Sequence, residues 1–340
     1  MFLLSVKSYI VFILLQNNFL TKFMKKRLIF FVSFLIMITF SDYSYKVIAE
    51  EKTSDTIAAS KHRSISKTQK ELKNEQPTYH VGVALSGGGI KGMCHAGVLK
   101  ALEEYGIRPD VISGVSAGAV VATLYADGYT PEEIRAFFDD VSFTKLTNLK
   151  LFDGGFLSMK SFEKFLGEKL RAKTFEELPF ALRIVTTNLD KGESVAFSSG
   201  DLLPPIVASC SMPVLFSPRM IDGTAYVDGG VLRNFPVSTI RDECEFVIGV
   251  SCSPMIVGEY KKNVVSIASR SYRLMFRANA RFEKEMCDIL IEPEELVDYD
   301  TFDVEKSKEI FELGYKTTVE MLESEAGKEF LALLKANKHK

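Results

Sequence analysis

The residue of this chain best suited to nucleophilic chemistry is Ser116, the centre of a Gly-x-Ser-x-Gly pattern. A short apolar strand, 111–113, is predicted just before it, and an Ala/Val-rich helix, 117–126, just after it. A sharp turn from strand to helix exposes a serine hydroxyl as a nucleophile in acyl transfer. Gly114 and Gly118 suit such a turn because side chains there would clash with the neighbouring strand and helix. The alternative is an ordinary turn with a serine cap, and the predicted strand and helix favour the nucleophile.

A serine nucleophile needs a base, and the histidines of this chain are poorly placed for that role. Only His339 follows Ser116, within the terminal sequence Ala-Asn-Lys-His-Lys, where nothing would orient its ring. His95 falls one turn inside a predicted helix, where a hydrogen-bonded structural histidine is the favoured interpretation. His62 and His80 precede the serine. The sequence therefore predicts a carboxylate base that acts directly on Ser116.

Asp228 is the leading candidate for that carboxylate. It follows a short predicted strand, 225–227, and Gly229 and Gly230 allow a tight turn behind it. An ordinary aspartate has a pKa of about 3.9, and partial burial would raise it toward the range of a useful base. Asp-Gly turns are common, so the turn alone favours neither a structural nor a catalytic role. The lack of a suitable histidine favours catalysis.

A glycine loop, residues 87–92, follows the predicted strand 81–85 and opens a helix. It contains a G-x-G-x-x-G pattern, which raises the possibility of a dinucleotide site. The acidic residue that such a site needs at the end of the next strand is missing, and the turn at Ser116 occupies its position. The loop is better interpreted as an oxyanion hole, whose N–H groups and helix dipole face a tetrahedral intermediate. Lys91 either stabilises the anion or packs the loop.

The elements around these motifs alternate between strand and helix, which is typical of an α/β fold with a parallel sheet covered on both faces. The 340 residues, 46% of them hydrophobic, suffice for one large domain with a real core. Further strands are predicted at 182–187, 194–197, 246–251 and 289–291. Further helices are predicted at 202–210, 264–286 and 304–322, with 131–180 helical and irregular near the active face. The helix 264–286 carries four arginines spaced to share its polar side, namely Arg270, Arg273, Arg277 and Arg281.

Charge and cysteine content exclude several other functions. A net charge of −2 leaves no electrostatic footprint for nucleic acid. The five cysteines form no C-x-x-C pair and are odd in number, which disfavours a zinc site or a disulfide framework. Buried thiols are expected instead. No metal or cofactor is predicted.

The N-terminal part, residues 1–49, is predicted to contain an export signal that starts at Met24. A basic segment, 24–27, precedes an apolar run, 28–40, and Val47-Ile48-Ala49 fits a cleavage site after Ala49. That run is short for spanning a bilayer, which needs about 20 apolar residues, and the alternative is an uncleaved anchor. Residues 50–77 are expected to be a disordered polar linker and 326–340 a flexible tail, with the catalytic domain at 78–325. The protein is expected in the periplasm or cell envelope.

The three motifs together resemble, in order, those of the patatin-like phospholipase family. They are the glycine loop Gly87–Gly92, the elbow Gly114–Gly118, and the turn Asp228-Gly229-Gly230. Secondary similarities are Ala208-Ser209-Cys210-Ser211-Met212-Pro213 with Phe216 and Pro218, and Asn234-Phe235-Pro236-Val237. The resemblance covers residues 80–325.

The resemblance implies a three-layer α/β/α sandwich that hydrolyses acyl esters of lipids without a metal. It implies Ser116 as the nucleophile, Asp228 as its partner in a dyad, and an oxyanion hole at Gly87, Gly88 and Gly89. The motif residues Lys91, Gly92, Gly114, Gly118, Gly229 and Gly230 would support them. The expected partner is a lipid or acyl-ester substrate at a membrane surface, with its acyl chain among apolar side chains of 146–166 and 210–220. The alternatives are an exported lipid-binding protein with a vestigial site and a nucleotide-binding module.

Overall fold

A mixed β-sheet forms the centre of the computed structural model, which describes residues 78–140, 159–213, 215–254, 262, 264–300 and 304–337. The strands in these ranges are β1 (Tyr79–Leu85), β2 (Val111–Val115), β3 (Ala181–Asn188), β4 (Glu193–Phe197), β5 (Arg219–Ile221), β6 (Thr224–Asp228), β7 (Cys244–Val250) and β8 (Ile289–Ile291). Their order is β5-β6-β3-β2-β1-β7-β8, and β4 also pairs with β3. The pairs among β3, β2, β1, β7 and β8 are parallel, whereas β4 and β6 run antiparallel to β3.

Helices cover both faces of this sheet. They are α1 (Met93–Glu104), α2 (Ala117–Ala126), α3 (Pro131–Asp140), α4 (Lys160–Lys169), α5 (Leu203–Ser209), α6 (Val264–Lys284), α7 (Ser307–Glu323) and α8 (Glu325–Asn337). A short 3₁₀ turn at Gly89–Gly92 joins β1 to α1, and another at Gly229–Val231 follows β6.

The side chains of each central strand alternate between two apolar cores. In β1, Val83 and Leu85 belong to a large core that includes residues of α1, α2, α3, α7 and α8. Ala84 instead faces a smaller core on the other side, with Phe235, Val237 and Ala280 of α6. The predicted three-layer α/β/α fold with a mainly parallel sheet is therefore confirmed, and α6 lies on the face opposite α1, α7 and α8.

The C-terminal segment differs from the prediction of a flexible tail from residue 326. Residues 325–337 form α8, and its Phe330 and Leu334 are buried in the large core. These two apolar residues stand four apart, which places them on one face of a helix. The Lys-rich composition concealed this pattern.

The structure also contains a feature that the sequence analysis missed, the short hairpin of β5 and β6 that leads into Asp228. The predicted export signal, the linker 50–77 and residues 141–158 of the insertion 131–180 lie outside the described residues. The described helices include none long and apolar enough to cross a bilayer. All five cysteines carry free thiols.

Candidate active site

Ser116 forms a strained elbow between β2 and α2. Its backbone has φ 53° and ψ −121°, a combination that a serine adopts only when its surroundings enforce it. Gly114 and Gly118 on either side allow the backbone of the elbow to pack closely against its neighbours. A Cβ at Gly118 would lie 2.5 Å from the carbonyl oxygen of Leu85. A Cβ at Gly114 would lie 2.5 Å from the carbonyl oxygen of Gly118. The elbow therefore lies directly against the end of β1.

A buried serine of α5 holds this elbow in place. The backbone N–H of Ser116 donates to Ser209 Oγ at 2.8 Å, and the Ser209 hydroxyl donates to the carbonyl oxygen of Val185 at 2.7 Å. Ser209 thus links the elbow to β3. The sequence analysis named Ser209 only within a secondary similarity, because nothing in its local spacing indicates a contact with the elbow.

Ser209→Ala is therefore expected to lower the catalytic rate and stability together. The change leaves the Ser116 N–H and the Val185 carbonyl without their partner, at a cost of about 1–3 kcal/mol per buried group. Ser211→Ala is a matched control, because Ser211 is equally buried but its hydroxyl donates only to the carbonyl of Val207. We expect ester turnover to fall much further for Ser209→Ala than for Ser211→Ala. Equal losses would assign Ser209 a merely structural role.

Asp228 ends β6 next to the elbow because both flank the same strand. In the sheet register Val115 of β2 pairs with Val185 of β3, and Asp228 pairs with Thr186 of β3. Asp228 Oδ1 accepts the N–H of Gly230 at 2.8 Å, and the Ser116 side chain, as a hydrogen-bond donor to the carboxyl, lowers the pKa of Asp228. β3 is thus the element that brings the two residues together.

Burial shifts the pKa of Asp228 toward neutral pH. The side chain is 1% exposed. Removal from water raises the pKa of Asp228 to about 6, and this effect outweighs the lowering of the pKa by the Gly230 N–H and by Ser116. The turn behind it requires glycine, since a Cβ at Gly229 would lie 2.3 Å from the Val185 carbonyl oxygen.

The glycine loop lies against Ser116. A Cβ at Gly87 would lie 3.4 Å from Ser116 Cβ and 2.4 Å from Asn234 Oδ1. The N–H of Gly87 is already used, because it donates to the carbonyl of Asn234 at 3.0 Å. In the described part of the chain, the N–H groups of Gly88 and Gly89 have no acceptor. Of the three glycines predicted to form an oxyanion hole, Gly87 thus has its N–H engaged within the protein, and Gly88 and Gly89 remain as candidate donors.

Lys91 packs the glycine loop, the second of its two predicted roles. Its ammonium donates to the carbonyl of Leu296 at 2.6 Å, and the residue is buried. Burial, assisted by the charge of Arg273, lowers the pKa of Lys91.

Gly92 at the end of the loop leaves no space for a side chain, since a Cβ there would lie 2.7 Å from Ala117 Cβ.

The histidines that the structure describes serve structural roles, as predicted for His95. His95 Nε2 bonds the carbonyl of Ser86 at 2.8 Å, and burial lowers the pKa of the ring to about 4. The imidazole is therefore neutral and supports the loop from within. His80 pairs through Nδ1 with Glu245 at 2.9 Å. His62 and His339 lie outside the described residues.

A pair of asparagines connects the glycine loop to the Asp228 turn and to α6. Besides accepting from Gly87, Asn234 donates its backbone N–H to Asn279 Oδ1 at 2.8 Å. Asn279 Nδ2 donates in turn to the carbonyl of Gly230 at 2.8 Å. The sequence analysis missed Asn279, because a single asparagine within a helix carries no spacing signal.

These elements place a serine hydroxyl, a buried carboxyl and the amides of Gly88 and Gly89 on neighbouring loops, and groups of these types can together perform acyl transfer. Across the residues that the structure covers, no group of three His, Cys, Asp or Glu side chains could hold a metal ion.

Comparison with known proteins shows the family of this chain. The model of the Patatin-like phospholipase family matches residues 83–240. The "Uncharacterized protein YqhO" of Bacillus subtilis is 34% identical over 222 residues, which are 54% of this chain and 75% of that protein. The "Uncharacterized NTE family protein Rv1063c" of Mycobacterium tuberculosis is 30% identical and covered over 56% of its length. "Lysophospholipase NTE1" of Kluyveromyces lactis is 28% identical over 69% of this chain, but the match spans only 18% of that protein.

Among solved structures, VipD from Legionella pneumophila is similar at 18% identity with a TM-score of 0.42, over 72% of this chain and 67% of that one. The family model covers the glycine loop, the elbow and the Asp228 turn, and the YqhO relative matches over three quarters of its length. This chain belongs to the patatin-like phospholipase family.

Proposed function

We propose that the protein is a serine hydrolase of lipid acyl esters, of the phospholipase A, lysophospholipase or esterase type. Ser116 is the nucleophile, Asp228 is the general base, and the amides of Gly88 and Gly89 bind the oxyanion. The observation that carries this proposal is the placement of a serine on a strained elbow beside a buried carboxyl whose pKa is raised to about 6 and is lowered in part by that serine. The Kluyveromyces lactis relative is named a lysophospholipase, which supports the substrate class.

The proposed reaction has two halves. Asp228 accepts the proton of Ser116 while Oγ attacks the ester carbonyl carbon, and the glycine amides stabilise the oxyanion. The tetrahedral intermediate collapses, and the alcohol leaves with the proton from Asp228. A water molecule then gives its proton to Asp228 and attacks the acyl-enzyme, which releases the carboxylic acid and restores the Ser116 hydroxyl.

A covalent probe tests the proposal directly. The purified full chain is treated with a fluorophosphonate and digested, and the modified peptide is identified by mass spectrometry. A panel of diacyl and lysophospholipids is then incubated with untreated protein, and released fatty acids are measured. Labelling at Ser116 with fatty-acid release is expected. Lipid association without labelling or release would instead favour the lipid-binding protein with a vestigial site.

The raised pKa of Asp228 predicts the acid limb of the pH profile. The base works only when ionised, so kcat/KM for a soluble short-chain ester should fall tenfold per pH unit below pH 6. It should level off above that value, because the pKa of Asp228 is about 6. Circular dichroism over the same range separates titration from unfolding. A limb near pH 4 in folded protein would contradict a buried carboxylate base.

A further inference from the structure

Arg273, one of the four arginines of α6, has a guanidinium group without a partner. It forms no ion pair and no hydrogen bond with the described residues, and its Nε is buried without an acceptor. Arg219 also has a buried, unpaired Nε, but its two terminal nitrogens bind Glu163 at 2.9 and 2.7 Å. Buried donors that lack an acceptor are costly and rare in folded proteins. The unpaired guanidinium of Arg273 therefore indicates an acceptor that comes from outside the chain.

Arg273 lies on the side of α6 that faces the glycine loop. It stands seven residues before Ala280, which is 1% exposed, so the two share the inner side of the helix. After burial, the charge of Arg273 is the largest cause that lowers the pKa of Lys91. Lys91 lies beside Gly88, since its Cβ is 3.5 Å from where a Cβ at Gly88 would be. Arg273 is thus on the same side of the candidate site as the Gly88 amide.

The next inward turns of α6 contact the opposite side of the candidate site. Phe276 Cζ lies 3.3 Å from where a Cβ at Gly230 would be, and Asn279 Nδ2 donates to the Gly230 carbonyl at 2.8 Å. One helix therefore packs on the Asp228 turn and carries Arg273 toward the glycine loop.

The acidic residues near this position do not neutralise Arg273. Asp298 and Asp300 raise the pKa of Lys91, but less than Arg273 lowers it. Both acids are exposed, and neither forms an ion pair with Arg273. On α6 itself the nearest acid is Glu283, which lies ten residues, or about 15 Å, further along the helix. The neighbourhood of Arg273 therefore favours an anion.

We propose that Arg273 binds the phosphate group of a phospholipid substrate while the ester of that substrate lies at Ser116. A guanidinium presents its donors as a planar fork, which matches two oxygens of a phosphate. In a glycerophospholipid, one glycerol carries both the acyl esters and the phosphodiester, so the two groups enter the site together. Lys91 is not the binding group, because it is buried and its ammonium donates to the Leu296 carbonyl.

This inference rests on the proposed function and deepens it, since it makes esters that carry a phosphate the preferred substrates. Binding of a phosphate can also be measured without any hydrolysis. Failure of this inference is thus distinguishable from failure of the enzymatic proposal.

The first experiment compares two soluble esters with the same acyl chains, dibutyroyl phosphatidylcholine and dibutyrin. The ratio of their kcat/KM values cancels any loss of activity that affects both. Arg273→Gln in the full chain should lower this ratio roughly tenfold or more, because a charge-assisted hydrogen bond to the phosphate is lost. Arg281→Gln is the matched control: it removes the same charge from an exposed position of α6 and should leave the ratio unchanged.

The second experiment measures binding by calorimetry with octylphosphocholine, a phosphodiester that contains no carboxylic ester. Arg273→Gln should weaken its binding roughly tenfold or more, and Arg281→Gln should not. Arg273→Lys keeps the charge but loses the planar fork, so its affinity should lie between those of the wild type and Arg273→Gln. Thermal unfolding checks the fold, which should persist because the guanidinium has no partner to lose.

Three results would overturn the phosphate-binding role. One is an unchanged kcat/KM ratio and an unchanged octylphosphocholine affinity in folded Arg273→Gln protein. Another is an equal loss in Arg281→Gln, which would indicate general attraction by the charge of the helix. The third is binding of inorganic phosphate that depends on Arg273 without binding of octylphosphocholine, since the ligand would then be free phosphate. Binding of octylphosphocholine that depends on Arg273, without hydrolysis of either ester, would support the subsite and contradict the enzymatic proposal.

Discussion

Ser116→Ala is expected to abolish fluorophosphonate labelling and to lower ester turnover by roughly 10³-fold or more, since the nucleophile is lost. What remains would come from substrate binding and the amides of the glycine loop. The fold should persist. The backbone N–H of residue 116 still donates to Ser209, and alanine tolerates the elbow about as well as serine does.

The measurement is steady-state hydrolysis of a soluble ester, with circular dichroism and thermal unfolding as checks on the fold. Ser113→Ala is a suitable control, because Ser113 is a fully buried serine of the preceding strand β2 and its hydroxyl contacts only Thr239 at 2.7 Å. That variant should retain turnover. A purified, folded Ser116→Ala protein with undiminished hydrolysis would mean that a different residue carries the chemistry.

The positions of Ser116 and Asp228 could be predicted from sequence because their constraints are local. A strand, a serine and two glycines within a few residues determine an elbow, since a Cβ at Gly118 would meet the backbone of Leu85. The argument from histidines also succeeded for His95, which lies at a buried helix position with a backbone acceptor.

The finer design of the site depends on contacts between residues far apart in the chain, which local patterns do not encode. The Gly87 amide was expected in the oxyanion hole, but its N–H donates to the carbonyl of Asn234. Ser209 and Asn279 hold the elbow and the Asp228 turn through side-chain hydrogen bonds formed only once β3, α5 and α6 have packed. Sequence reasoning therefore indicated the candidate reacting groups more readily than the residues that position them.

Asp228→Asn should remove activity and at the same time stabilise the fold. Its folded pKa of about 6 exceeds the unfolded value of about 3.9, so the native state binds more protons between these two values. Stability therefore falls as pH rises from about 4 to about 6, and the buried charge remains a cost at neutral pH. Two pKa units correspond to roughly 3 kcal/mol, an upper bound for the gain on neutralisation.

Asparagine is the informative replacement, because its side-chain oxygen can still accept the Gly230 N–H while the charge is gone. We expect denaturant unfolding at pH 7 to show a gain of about 1–3 kcal/mol that shrinks to nothing near pH 4. Asp127→Asn provides the contrast. That buried carboxylate accepts backbone N–H groups of Arg171 and Ala172 through both oxygens, so an amide there loses one acceptor and should destabilise.

Changes of opposite sign in the free energy of unfolding for Asp228→Asn and Asp127→Asn would distinguish a carboxylate held ready for proton transfer from one that caps backbone donors. Active sites retain groups that cost stability when chemistry requires them. Asp228 fits that description only if the loss of its charge in Asp228→Asn stabilises the fold. A destabilised Asp228→Asn protein would mean that the carboxylate chiefly holds the turn at Gly230. Full esterase activity in the same variant would exclude it as the base.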